Sequence, residues 1–381
     1  VTPRVATYLM FVVNGGAVGT WIASIPGIQD SLGLSGTEMG TILLIAAFGA
    51  LVAQQVTGQL LVRMSSRRLL AITGLAFPLL VVLPLLAPSF LALALVMFVF
   101  GAFNTSMDTT MNHHGVALED RGGKSILSGL HAGWSIGGVL AAAAVAGALA
   151  LGVDPIIEAT AASVVLFVVA FTASRFLGTG STRTPNLSRG IHWPSRAVIP
   201  VALLVILIAV VEGGLADWGG IYLRDGTGAD EGTAALAYAA LSLGLFIGRV
   251  GGDRVKDRIG SIRLIEYGLL LTAAVVTLFL VVGDSTLGLV GMVIAGIGVA
   301  NTIPQLFGAA GRIPPTGPSL AATFTSLTIA FMISPLIIGT ASDAIGISSA
   351  LGLVVVCSLV AALFVRRVPL AETNPRFARA A

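Results

Sequence analysis

Charge is scarce in this sequence. Asp, Glu, Lys and Arg make up 10% of its 381 residues, against roughly 25% in a typical soluble domain. The 21 basic and 18 acidic side chains are too few to cover one or two water-soluble domains with a polar surface. Cysteine is all but missing, and the single Cys357 excludes a disulfide scaffold; within an apolar run it reads as a buried filler. Net charge is only +3 despite a pI near 9.4, and no basic block or stripe suggests a nucleic-acid partner. The Gly-rich stretch Gly311 to Gly317 holds no Walker pattern, so neither ATP nor any other cofactor is expected. No metal site is expected either, because the adjacent His113 and His114 point to different faces of a helix and no four-ligand set completes them. What is abundant is apolar: 56% of the residues, with a mean hydropathy of +0.97. Disorder requires the opposite composition. Most of this chain must be solvated by lipid.

A helix needs about 20 apolar residues to cross the hydrocarbon core. Such runs recur twelve times, at 5–27, 38–62, 69–87, 90–113, 126–151, 156–177, 197–222, 233–250, 264–283, 286–309, 319–341 and 347–365. Strands of a membrane barrel would instead show about ten residues of alternating polarity. The reading is an all-α membrane protein with twelve transmembrane helices. No small-residue cleavage site follows the first run, which is expected to remain as a helix. With the N-terminus in the cytoplasm, every Lys and Arg except Arg224 falls on the cytoplasmic side, as the positive-inside rule demands. Both termini are then cytoplasmic.

The longest polar connection, 178–196, parts two six-span halves, an N-terminal bundle at 1–177 and a C-terminal bundle with a short tail at 197–381. The halves repeat. Asn14-Gly15-Gly16 followed by Trp21 matches Glu212-Gly213-Gly214 followed by Trp218. Gly101-x-x-Asn104-Thr105-x-x-Asp108 matches Gly298-x-x-Asn301-Thr302-x-x-Gln305. Arg63-x-x-Ser66-x-Arg68 matches Arg258-x-x-Ser261-x-Arg263. The offsets are 198, 197 and 195 residues. Parallel six-helix repeats build transporters whose site lies between the halves.

These spans, halves and short basic loops after spans two and eight resemble the major facilitator superfamily. Asp257-Arg258-Ile259-Gly260 is similar to that family's loop signature; in the first half Val62 and Ser65 replace its Asp and Gly. The resemblance makes Arg63, Arg68, Asp253, Asp257 and Arg258 candidates for gating loops. Trp21-Ile-Ala-Ser-Ile-Pro26, Asp108-Thr-Thr-Met-Asn112, Leu130-His131-Ala-Gly-Trp134-Ser135, Glu212-Gly-Gly-Leu-Ala-Asp217-Trp218 and Asn301-Thr-Ile-Pro304 resemble a bacterial subgroup near the fucose–proton symporters, which includes rhizopine carriers. That likeness implies proton-coupled transport of a sugar-like solute.

The residues themselves point to the same chemistry. An acid at membrane depth costs roughly 2.5–3.5 kcal/mol even on the lenient insertion scale, so Asp108, Glu212 and Asp217 need a reason to be there. Asn104, Asp108 and Asn112 recur every fourth residue and share one helical face. Burial disfavours a charged carboxylate, which suits Asp108 to carry a proton, with Glu212 second and His131 as partner or relay. The alternative is that these acids lock helices together by hydrogen bonds. Asn14, Gln54, Asn301 and Gln305 offer donors and acceptors together, as a hydroxyl-rich solute requires, or else glue helices. Trp21, Trp134 and Trp218 could stack on a sugar ring or belong to the interfacial belt. Glu266, two residues into span nine, reads as interfacial, and Arg249 reads as part of a loop network with Asp253 and Asp257. With no Arg or Lys in mid-span, a doubly charged anion lacks a clamp.

The expectation is a monomeric, proton-coupled transporter of a small neutral or cationic polar solute in a bacterial inner membrane. A drug or metabolite exporter would want a large apolar, aromatic or Met-lined pocket, whereas the candidates here are amides and acids in a chain with 7% aromatic residues; a transport-inactive sensor is the remaining rival. No nucleophile–base constellation supports an enzyme.

Overall fold

The computed structural model describes residues 1–122, 126–179 and 194–368, and among them there is no strand. Twelve helical segments are long and apolar enough to span a membrane: α1 Pro3–Ser31, α2 Gly36–Arg63, α3 Ser66–Leu86, α4 Phe90–Glu119, α5 Gly129–Ala150, α6 Pro155–Phe176, α7 Arg196–Gly226, α8 Glu231–Gly252, α9 Ser261–Val282, α10 Ser285–Ala310, α11 Thr316–Ile345 and α12 Ile347–Arg367. Each coincides with one span read from hydropathy. The ends differ by a few residues because caps, not polarity, stop the helices. Ser35 and Glu38 close a capping box on α2. Asp154 takes the amides of Ile156 and Ile157 at the head of α6, with Pro155 in the first turn. Asp284 takes the amide of Leu287 at the head of α10.

Three helices are interrupted, α12 among them at Leu351, between Ile347–Ala350 and Gly352–Phe364. α3 is α-helical to Leu79 and ends in a short tight turn, Leu83–Leu86, where Pro84 lacks the amide hydrogen to continue the ladder. α10 breaks between Val299 and Thr302.

The chain forms two compact units, Val1–Ser188 with Asp230–Ala239, and Arg189–Ala229 with Ala240–Ala381. Most of the expected linker, at 180–193, and the tail from 369 lie outside the described residues. In each unit glycines let helices touch backbone to backbone, and one such pair recurs in both. In the first, a Cβ on Gly49 would collide with the Phe98 carbonyl and one on Gly101 with that of Ala46, so α2 and α4 touch. In the second, Gly244 meets the Val293 carbonyl and Gly296 that of Leu241, joining α8 to α10. Gly49 and Gly244 lie 195 residues apart, as do Gly101 and Gly296. The contacts repeat at the 195-residue offset of the basic loops, which pairs Gly101 with Gly296, two residues before the Gly298 that its motif matches.

The corners after α2 and α8 obey the same spacing but use different chemistry. Gly260 turns with φ +88, open to glycine alone at little cost. Its counterpart Ser65 keeps φ −66 and caps α3 by accepting from the Arg68 amide. The missing glycine of the first loop is thus replaced by a side-chain cap. Large apolar side chains cover the outer helix faces, Leu95, Val165 and Val281 among them, a surface that only lipid solvates without penalty.

Candidate functional site

In the first unit, α1, α4 and α5 meet at a polar junction. Close packing makes it possible: Gly15 lies against the Trp134 carbonyl and Gly137 against that of Val12, where no larger residue fits. Asn14, 1% exposed, is held inside. Its Oδ1 accepts from Trp134 Nε1 at 2.8 Å, and its Nδ2 donates to Asn104 Oδ1 at 3.1 Å. One turn further along α4, Asp108 Oδ1 accepts from Asn112 Nδ2 at 3.1 Å, and the same amide reaches the Asp108 carbonyl at 2.9 Å. Asn104, Asp108 and Asn112 are all half-buried, so the stripe expected from their spacing exists as an accessible polar face.

The other first-unit candidates are spread out. His131 is exposed on α5, with its ring edge-on to Phe11 at 5.3 Å. Trp21 is buried beside Phe100, at 6.0 Å between rings. Gln54 is exposed on α2 between the exposed Val52 and Val56.

The second unit presents an ion pair. Glu212 on α7 lies 3.9 Å from the guanidinium of Arg249 on α8, with side chains 21% and 28% exposed. The sequence reading leaves Arg249 to the loops and finds no cation for the membrane acids; the structure corrects this. The helix of α8 runs on to Ile259, past Arg249, whose long side chain reaches α7. The glycines after Glu212 serve close approach rather than unwinding: Gly213 faces the ring of Phe331 and Gly214 faces Ile338 and Val354, while the helix continues to Ile221. Asp217 is half-buried, with no hydrogen-bond or ion-pair partner among the described residues. Trp218 is fully enclosed, so its indole has no free face for a ring to stack on. Asn301, at the break in α10, donates to the Gly248 carbonyl at 2.8 Å and fills the space left by Gly252. It ties α10 to α8, the interhelical role weighed from sequence. Gln305 is half-buried one turn on. Glu266 is paired with Arg366 at 3.0 Å.

Of the loop candidates, Arg63, Arg68, Asp257 and Arg258 are exposed, and the side chain of Asp253 lies outside the described residues. No cluster of His, Cys, Asp and Glu fit for a metal exists among the described residues. His114, unremarkable as a metal ligand, is buried and hydrogen bonded through Nδ1 to Ser66 at 3.1 Å, tying α4 to α3. Sequence reasoning also missed a cavity of about 280 Å³ in the first unit, lined by Asp30, Asp154, Glu158 and Glu231. Its acids come from three separated segments, with Asp154 and Glu158 together at the head of α6, and nothing in the sequence links these segments.

The sequence profile of the Major Facilitator Superfamily matches residues 7–328. The chain belongs to this superfamily. It is a multi-pass membrane protein of the transporter class that the superfamily comprises. It is 30% identical to membrane protein MosC of Rhizobium meliloti over 363 residues, covering 93% of this chain and 89% of that protein. It is 28% identical to an uncharacterised MFS-type transporter of Yersinia pestis over 374 residues, covering 97% of this chain and 96% of that protein. Among solved structures, a mutant of the nucleoside transporter NupG shares the fold with a TM-score of 0.77 at 12% identity, over 96% of this chain and 99% of that one. The Escherichia coli fucose–proton symporter FucP does so with a TM-score of 0.63 at 16% identity, over 96% and 98%. The twelve apolar helices of this chain thus share the fold of solved transporters.

Proposed function

We propose that this protein is a proton-coupled secondary transporter of a small polar solute, sugar- or cyclitol-like and neutral or cationic, working by alternating access in a bacterial inner membrane as a monomer. The observation that carries the reading is the half-buried stripe Asn104–Asp108–Asn112 on α4, with a carboxyl at its centre inside a membrane helix. An acid there is costly to keep charged, and only one of its oxygens is engaged, by Asn112. Asp108 is then the proton carrier, and the amides around it hold hydroxyl groups of the solute.

Glu212 has a different character. Arg249 beside it compensates its charge, so it is suited to a charge switch within the second unit rather than to solute capture. FucP, named as a fucose–proton symporter, and NupG, named as a nucleoside transporter, both share the fold. Both names favour a hydroxyl-bearing solute.

The test is uptake into proteoliposomes under an imposed pH gradient, acid outside, with sugars, cyclitols and their amines as candidate solutes. The wild type should accumulate one of them against its gradient. Asp108→Asn should abolish accumulation while leaving exchange of solute across the membrane. Full gradient-driven accumulation by Asp108→Asn would sink the proton assignment.

A further inference from the structure

The hydrogen bonds around Asn14 run in one direction, and that direction is chemically forced. An indole N–H can only donate. With Trp134 Nε1 at 2.8 Å, the Asn14 atom facing it must be the carbonyl oxygen, because an amide nitrogen there would set two donors against each other. The amide nitrogen of Asn14 therefore points the other way, and the Asn104 atom that meets it at 3.1 Å must be an oxygen. The NH2 of Asn104 is left over, with no partner among the described residues. At the other end of the stripe, the Asn112 nitrogen is spent on Asp108, which leaves Asn112 Oδ1 and, while the carboxylate is without its proton, Asp108 Oδ2 as acceptors. The accessible face reads donor, acceptor, acceptor along α4.

We propose that Trp134 is a positioning residue that sets this polarity, and that the stripe takes a solute with two adjacent polar groups, an acceptor for Asn104 and a donor for Asp108: a vicinal diol or amino alcohol. The proposal rests on the transport reading above and deepens it. A neighbouring quaternary ammonium does not fit, because it has no lone pair for the Asn104 N–H at any pH, whereas a vicinal diamine keeps one while its second nitrogen is unprotonated. Trp134 acts through Asn14 and Asn104; its own N–H is consumed and does not touch solute.

The probes are aminocyclohexanol with its two groups on adjacent carbons and the analogue with a trimethylammonium group in place of the hydroxyl. Affinities are read by thermal-shift titration of the purified full chain, since a ligand of the folded state raises its melting point. The wild type should prefer the amino alcohol. Trp134→Phe removes the donor and frees both amides to flip, so the preference should narrow by about threefold to tenfold, the worth of one neutral hydrogen bond. Asn104→Asp replaces the donor with an acceptor and should reverse the preference; this variant reports even where Trp134→Phe folds poorly. A wild-type ratio in Trp134→Phe, alongside a shifted ratio in Asn104→Asp, overturns the positioning role and leaves the transport reading standing. No shift by either probe up to its solubility, or affinities unmoved by Asn104→Asp, overturns the vicinal-pair assignment. Failure of the transport reading shows separately, as absence of gradient-driven uptake.

Discussion

Arg249 illustrates what one long side chain can do to a charge inventory. It stands on α8 at the inner end of the apolar run 233–250, yet it places a cation 3.9 Å from Glu212 on α7. Removing one partner of a buried pair is costly because the other charge is stranded, about 3–5 kcal/mol where both are fully enclosed. Here roughly a quarter of each side chain is exposed, so Arg249→Ala is expected to cost about 1–3 kcal/mol. The double variant Glu212→Gln with Arg249→Gln should recover most of that loss, read as melting temperature in detergent. The stripe on α4 was legible beforehand, because a helix puts every fourth residue on one face and three polar residues at that spacing stand out in an apolar run. The partner of Glu212 was not, because 37 positions separate it from Arg249 and no periodicity links them. The roles of the tryptophans were equally hidden: the letter Trp does not say whether the ring is enclosed, as in Trp218, or donates to a neighbour, as in Trp134.

Helix pairs and helix ends carry the next set of consequences. Where α2 meets α4, a methyl on Gly101 would strike the Ala46 carbonyl. Backbone cannot yield as a flexible side chain does, so Gly101→Ala should cost about 1–3 kcal/mol. Gly147 on α5 has nothing within 4 Å of its position for a Cβ; Gly147→Ala should be neutral or gain about 0.5–1 kcal/mol from helix propensity. Thermal unfolding of both variants separates the two kinds of glycine. At the head of α8, the Asp230 carboxylate accepts from the Thr233 hydroxyl at 2.7 Å and its amide at 3.0 Å. These bonds hold Asp230 below the usual carboxylate range, the side-chain bond most of all. A carboxyl held low in the folded state stabilises it at every pH above the ordinary range. That contribution drains away as the pH falls through the folded-state value, because the unfolded chain takes up its proton first. Asp230→Ala should therefore cost about 1 kcal/mol at neutral pH and less in strong acid, where the neutral carboxyl is the weaker acceptor, a narrowing visible in melting curves taken across pH.

Across the molecule, the distribution of basic residues sets the expected orientation. With both termini in the cytoplasm, a fluorescent protein fused at either end should mature and fluoresce. A phosphatase that works only outside the cytoplasm should be active when inserted after Gly33 or Gly228. The opposite pattern would reverse the assignment of every loop. Both insertion points are glycines with positive φ in short connections, φ +60 and φ +72, where added chain disturbs no helix.

Hydropathy and repetition alone yielded twelve helices, two halves and the acids worth testing. Those properties survive in one dimension, because a lipid-spanning helix must be continuously apolar and a duplicated bundle keeps its spacing. Folding in three dimensions was needed to show which polar groups meet: Trp134 with Asn14 and Asn104, Glu212 with Arg249, Asn301 with the backbone of Gly248. Each of these contacts joins residues from different helices, and its direction depends on which atom has a hydrogen to give, something that neither composition nor period encodes.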